Sequence, residues 1–184
     1  AFIKFLEQIS KKVDFIFLFV DEEIKNVSNN LRKKSVLEKI ICSPSKTINI
    51  CNNKLKFHNF FKNKILLPTL SKNSKTIIKP IYGRGSKNII ITNEKKTINN
   101  FSKNKNYICQ KYIIGKEYTV DCFFDYNGKL MRYLPRERIK SKDVSIIGKT
   151  EDNKLIGNFT QKLSLFLKFV GPINIQIIIS KKKI

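Results

Sequence analysis

Apolar positions along the chain follow two regimes, with the change near residue 66. In the first regime Phe2, Phe5, Leu6 and Ile9 recur every three to four residues, which predicts a helix over 1–10. Residues 13–20 then form an almost unbroken apolar run, the pattern of a strand buried on both faces. Asp21 reads as an N-cap, with Glu22 and Glu23 in the first turn of a helix that carries Ile24, Val27 and Leu31. A short strand at 38–42 and a helix from about 46 to 63, capped by Ser45, follow. Helix–strand–helix–strand–helix is the C-terminal half of a doubly wound, Rossmann-like α/β unit. Its opening strands have no counterpart here, and the first residue is Ala, so the chain is expected to be a fragment.

Leu66-Leu67-Pro68-Thr69 reads as a linker, and beyond it the apolar pattern turns mostly to period two. TIIKPIYGRGSKNIII, from Thr76 to Ile91, predicts two strands joined by a glycine-containing loop. A helix over 94–103 and a strand over 107–112 come next, and Gly115 breaks the pattern. Strands over 117–126 and 130–140 flank Asn127-Gly128, which predicts a type I′ hairpin turn. Pro135 inside the return strand marks a bulge or an edge. Leu155, Ile156, Phe159, Leu163, Phe166 and Leu167 share one face of a helix over 153–169, and a last strand covers 171–179. The fold class is therefore α/β followed by α+β, the second part mostly antiparallel.

The loop of the first hairpin carries candidate chemistry. Gly83 and Gly85 let main-chain N–H groups approach a ligand, and Arg84, Ser86 and Lys87 add donors and charge, a combination suited to phosphate. A basic hairpin loop with nothing bound fits those residues equally well. The second hairpin allows its partners to be counted. If Tyr126 opposes Lys129, then Thr119 faces Arg136 and Glu117 faces Arg138. One face then holds Glu117, Thr119, Asp121, Arg136 and Arg138, and the other holds Tyr118, Val120, Cys122 and Phe124. That polar face is either a solvated surface with weak ion pairs or a carboxylate for a ribose with two arginines for anionic oxygens. Asn174 and Gln176 share a face of the last strand. They serve either as ordinary hydrogen-bonding amides or as hard oxygen donors to Mg²⁺, for which a neutral pair alone is poor.

Composition changes little in this picture. The 37 Lys and Arg against 14 Asp and Glu give a net charge of +23 over 184 residues. The cations are mostly scattered Lys among Asn and Ile, with no long basic block, so a dedicated nucleic-acid surface is not expected. Cys42, Cys51, Cys109 and Cys122 show no metal or disulfide spacing and read as small hydrophobes of a reducing, cytoplasmic compartment. His58, the only histidine, sits on the apolar pattern of its helix and reads as a packing residue. No apolar run reaches the length of a membrane span.

Five segments in order resemble the ATP-grasp superfamily, and within it the branch like the carbamoyl phosphate synthetase large subunit. They are CNNKLKFHNFF with ILLPT, IIKPIYGRGSKNI, YICQKYIIGKEYTVDCFFDYNGKL, LPRERIK and GPINIQ. The resemblance implies a partial pre-ATP-grasp domain at 1–66 and an ATP-grasp domain at 67–184. The latter divides into a small lid subdomain at about 67–112 and a larger one at about 113–184. It implies that Lys54 and Lys79 contact nucleotide phosphates and that Gly83, Arg84, Gly85 and Ser86 form the lid over them. Gln110, Lys111, Tyr112 and Ile113 match the hinge that reads adenine, and Glu117 the ribose-binding carboxylate. Arg136 and Arg138 match the basic pair near the transferred phosphate, and Gln176, with Asn174 beside it, the first Mg²⁺ ligand. The activity implied is that of a ligase using Mg²⁺-ATP to activate a small carboxylate as an acyl phosphate for an amine or thiol acceptor; many members of the family form homodimers, and the sequence itself is silent on oligomeric state. Two departures stand out: Lys111 replaces an acidic hinge residue, and Asn53 stands where Asp commonly precedes the lysine. The resemblance also places further Glu and Asn metal ligands beyond SKKKI, so a catalytic strand is expected to be missing. A non-catalytic nucleotide-binding module is the alternative, with a basic nucleic-acid-binding domain behind it.

Overall fold

A computed structural model of the chain describes residues 1–71, 74–83, 85, 87–141 and 145–180. The front unit contains α1 (Phe2–Ile9), β1 (Ile16–Phe17), α2 (Asp21–Asn30), α3 (Lys34–Leu37) and β2 (Ile40–Ile41). β1 and β2 pair in parallel, as expected of half a doubly wound unit. Leu6, Leu18, Val27, Leu31, Val36 and Ile40 form its core. The strand expected over 13–20 is shorter than the apolar run, and it is not covered on both faces. Phe15, Phe17 and Phe19 are exposed while Leu18 is buried, because among the described residues β1 pairs with β2 alone.

The helix expected over 46–63 is two helices, α4 (Ser45–Cys51) and α5 (Lys54–Phe61). Asn53 makes the break. Its side-chain oxygen accepts from the N–H groups of Leu55 at 3.0 Å and Lys56 at 2.9 Å, the geometry of an N-cap. Lys54 is therefore the first residue of α5 and not a mid-helix side chain. Neither Ser45 nor Asp21 caps by side chain; each is the first residue of its helix.

Next come β3 (Thr76–Pro80), β4 (Ile90–Thr92), α6 (Lys95–Ser102) and β5 (Tyr107–Lys111). They build an antiparallel sheet in the order β4-β3-β5. Its register puts Ile77 and Lys79 on one face and Thr76 and Ile78 on the other, where Ile98 of α6 is also buried. The last part holds β6 (Lys116–Phe124), β7 (Leu130–Ser141), β8 (Ser145–Thr150), α7 (Lys154–Ser164) and β9 (Gly171–Ile179). Their sheet runs β8-β7-β6-β9, antiparallel throughout. Tyr118, Val120, Cys122 and Phe124 face a core shared with Ile156, Leu163 and Ile177, and Phe61 of α5 joins it. Sequence reading assigned no element to α3 or to β8.

The turn at Asn127-Gly128 is not type I′. Asp125 accepts from the Gly128 N–H at 3.0 Å, and its own N–H donates to the Lys129 carbonyl at 3.0 Å, so the loop has three residues. Only Gly128, at φ 88°, is left-handed, which is the type I turn with a glycine bulge. This displaces the pairing by one residue at Phe124–Leu130, and a bulge before Arg132 restores it. Thr119 consequently faces Arg136, as counted from the sequence. Pro135 is no bulge; it pairs with Val120 where β7 runs beyond the end of β8.

Candidate functional site

The site forms where the Lys79 face of the three-stranded sheet approaches the polar face of the four-stranded sheet, with the start of α5 beside them. Lys54 and Lys79 are both half-buried. Burial lowers the Lys79 pKa, the nearby Lys54 charge lowers it further, and Glu117 partly offsets both. Burial also lowers the Lys54 pKa, opposed by Asp21 at the start of α2. Two half-buried ammonium groups repelling each other are an arrangement that an anion relieves.

Lys54 is held at both ends. Its N–H donates to the Ile81 carbonyl at 2.9 Å, and its Nζ donates to the Gly83 carbonyl at 2.8 Å. The helix start and the glycine loop are thus tied to one residue. Gly83 and Gly85 adopt φ of 107° and 71°. Arg84 and Ser86 lie outside the described residues.

The hinge segment follows. Gln110 is buried opposite Ile77, and Lys111 is exposed. The Lys111 N–H donates to the Thr69 carbonyl at 2.8 Å, and the Tyr112 N–H to the Lys75 carbonyl at 2.8 Å. Among the described residues, the Ile113 N–H makes no main-chain hydrogen bond. The main-chain donors of Lys111 and Tyr112 are thus used within the fold.

Across the larger sheet, Glu117, Thr119 and Asp121 of β6 share a face with Arg136 and Arg138 of β7 and with Asn174 and Gln176 of β9. Gln176 stands opposite Thr119, and Asn174 opposite Asp121. Glu117 Oε2 lies 3.6 Å from Arg138 Nη1. The Arg138 side chain is only 10% exposed, and its Nε is buried with no partner among the described residues. Such an orphaned donor beside an exposed carboxylate is a group with bonding capacity to spare. Asp121 takes Arg136 Nη2 at 3.0 Å and Asn174 Nδ2 at 2.8 Å. Both carboxylates of this face are therefore engaged by arginine. No group of three or more His, Cys, Asp or Glu suited to a metal exists among the described residues. The donors that fit Mg²⁺ are the neutral oxygens of Asn174 and Gln176, adequate for an ion arriving on phosphates and too weak to hold one unaided.

Sequence reading found the faces but missed three connections. Asn53 as a cap was hidden because Asn52-Asn53 does not interrupt the apolar period. The influence of Asp21 on Lys54 depends on how α2 packs on α4, which in turn packs on α5. Asp121 joining Arg136 to Asn174 needs β9 to pair with β6, which no local pattern states.

A family model described as an ATP-grasp domain matches residues 51–179. Among solved structures the chain is similar to D-alanine–D-alanine ligase from Bacillus anthracis. The identity is 18% and the TM-score 0.69, over 98% of this chain and 70% of that one. It is similar to carboxyaminoimidazole ribonucleotide synthase from Aspergillus clavatus, solved with ATP, at 12% identity and TM-score 0.66 over 98% and 54%. L-amino acid ligase from Bacillus licheniformis aligns at 14% identity and TM-score 0.65 over 97% and 49%. At such identities the likeness is one of fold, and the chain spans about half to 70% of the length of these proteins. No match is found among curated proteins.

Proposed function

The chain belongs to the ATP-grasp domain family, and from that membership we propose that it binds ATP and serves an ATP-dependent ligase that activates a small carboxylate as an acyl phosphate. The observation that carries this reading is the pair of half-buried lysines, Lys54 and Lys79, set beside Glu117. The lysines meet the phosphates, Glu117 takes the ribose hydroxyls, and the Ile113 N–H with neighbouring hinge carbonyls takes adenine. Gly83 to Ser86 cover the phosphates. GPINIQ supports placing the chain nearest the carbamoyl phosphate synthetase-like branch.

A carboxylate oxygen attacks the γ-phosphorus and ADP leaves; an amine or thiol then attacks the acyl carbon, loses its proton and expels phosphate. Such transfer depends on positioning and on charge around the phosphates more than on a general base. Arg136 and Arg138 supply cationic donors where the transferred group and the acceptor carboxylate would lie. Mg²⁺ carried on the phosphates would draw on Gln176 and Asn174, and its chemistry is to screen phosphate charge. A cytoplasmic, homodimeric ligase completes the proposal.

A second reading, a nucleotide-binding module without turnover, is favoured by the engagement of both Glu117 and Asp121 with arginines. A thermal-shift titration with ATP and ADP, with and without Mg²⁺ and beside duplex DNA, tests the common core of both. Stabilisation by nucleotide and not by DNA is expected. Stabilisation by DNA alone would overturn it. Carboxylate-dependent release of ADP then separates ligase from binding module.

A further inference from the structure

Asp121 is exposed, yet both of its oxygens are in use. Oδ1 accepts from Asn174 Nδ2 at 2.8 Å, and Oδ2 accepts from Arg136 Nη2 at 3.0 Å. Asn174 is its direct cross-strand partner on β9. Arg136 is its diagonal neighbour on β7, opposite Thr119. An ionised carboxylate has no proton to give, so it admits only the NH₂ side of the Asn174 amide. The Asn174 Oδ1 is thereby turned away from Asp121 and left free to accept. Arg136 is held at a second point as well. Its stem lies against Gly148 of β8, where a Cβ would come within 2.9 Å of Arg136 Cγ. No side chain larger than hydrogen fits there without moving the arginine.

We propose that Asp121 is the positioning residue of this site: its one carboxylate presents the Asn174 oxygen to a divalent cation borne on nucleotide phosphates and, at the same time, anchors the Arg136 guanidinium. The inference rests on the nucleotide-binding reading above. Removing the carboxylate has two consequences of opposite sign. Asn174 loses the partner that dictates its flip, so its oxygen is no longer committed to the cation. Arg136 loses its counter-charge, so the metal-free site attracts a polyanion at least as strongly as before. General damage to the site would weaken both properties together.

The experiment compares the wild-type chain with Asp121→Asn and Gly148→Ala, reading thermal stabilisation by ATP in EDTA and then along a MgCl₂ titration. Asn at 121 keeps the shape but can face Asn174 with either its oxygen or its NH₂, so both flips are admitted. For Asp121→Asn, stabilisation in EDTA stays equal to wild type or increases. The Mg²⁺ concentration giving half of the further stabilisation rises about tenfold, as for loss of an outer-sphere partner. Gly148→Ala displaces Arg136 and crowds the Glu137 carbonyl at 3.2 Å without meeting Asn174 or Asp121, so its Mg²⁺ requirement stays at the wild-type value. An unchanged Mg²⁺ requirement in Asp121→Asn overturns the proposal, as does a matching loss with and without metal. An equal rise in Gly148→Ala would overturn the role given to Asn174. Wild type that responds to ATP but not to Mg²⁺ overturns the proposal and leaves nucleotide binding standing. Wild type that ignores ATP overturns the nucleotide reading itself.

Discussion

The Nζ of Lys54 donates to the Gly83 carbonyl at 2.8 Å, joining the first residue of α5 to a loop 29 positions further on. The bond matters because Lys54 is also the charge that, beside Lys79, an anion would meet. Replacing Lys79 by Ala should remove most ATP binding without unfolding the chain, since the ammonium has no hydrogen-bond acceptor to lose among the described residues. A lost charge-assisted contact of about 2 kcal/mol corresponds to roughly thirtyfold in Kd. Calorimetric titration of folded Lys79→Ala with ATP decides it, and wild-type affinity would refute the site.

Asn53 should matter to stability more than its polarity suggests. Its oxygen caps two N–H groups of α5, so Asn53→Ala costs about 1 kcal/mol. Asn53→Asp should match the wild type, because a carboxylate accepts the same two bonds at the positive end of a helix. Urea unfolding of the three proteins ranks them.

The two lysines predict opposite pH responses for folding and binding. Burial lowers both pKa values, so the unfolded chain holds these protons to higher pH than the folded one. Their contribution to stability therefore rises with pH between the folded values and the unfolded value of about 10.4. ATP needs both groups charged, so its affinity falls as pH climbs through the folded values, earlier than exposed lysines would allow. An affinity that held constant until pH of about 10.4 would mean that these lysines do not meet the ligand.

His58 should act on stability alone. It is buried, its Nδ1 has no partner among the described residues, and burial, helped by Lys62, lowers its pKa. The folded form is thus stable with a neutral ring, and stability is lost as pH falls below about 6.5. In His58→Leu that acid-side slope should flatten while ATP binding is unchanged. Melting temperatures across this range test the first half, and titration at pH of about 8 the second.

Glu117 should distinguish nucleoside from phosphate. Glu117→Ala is expected to weaken ATP by about tenfold and inorganic triphosphate much less, since a carboxylate takes hydroxyls and repels phosphates. Equal loss for both would show that its task is to hold Arg138, 3.6 Å away.

Period and turn chemistry determined most of the elements in advance. The alternation of Tyr118, Val120, Cys122 and Phe124 stated which face of β6 is buried, because a strand has no other way to sort side chains. The same period put Glu117, Thr119 and Asp121 together, and Arg136 opposite Thr119, even though the loop at Gly128 differs from the one expected. The Thr119–Arg136 pairing held because the extra loop residue and the bulge before Arg132 cancel. Fold class was likewise legible.

Only the tertiary structure decided what meets across elements. An unbroken apolar run says that a segment prefers burial, but covering Phe15, Phe17 and Phe19 depends on neighbours that β1 does not have among the described residues. Whether the run before Lys54 is one helix or two turned on a single capping amide, which has no periodic signature. The approach of Lys79 to Lys54 and Glu117 depends on how separate elements pack, and the junction of Asn174, Asp121 and Arg136 on which strand pairs with which. These contacts join residues far apart in sequence, so no local propensity encodes them.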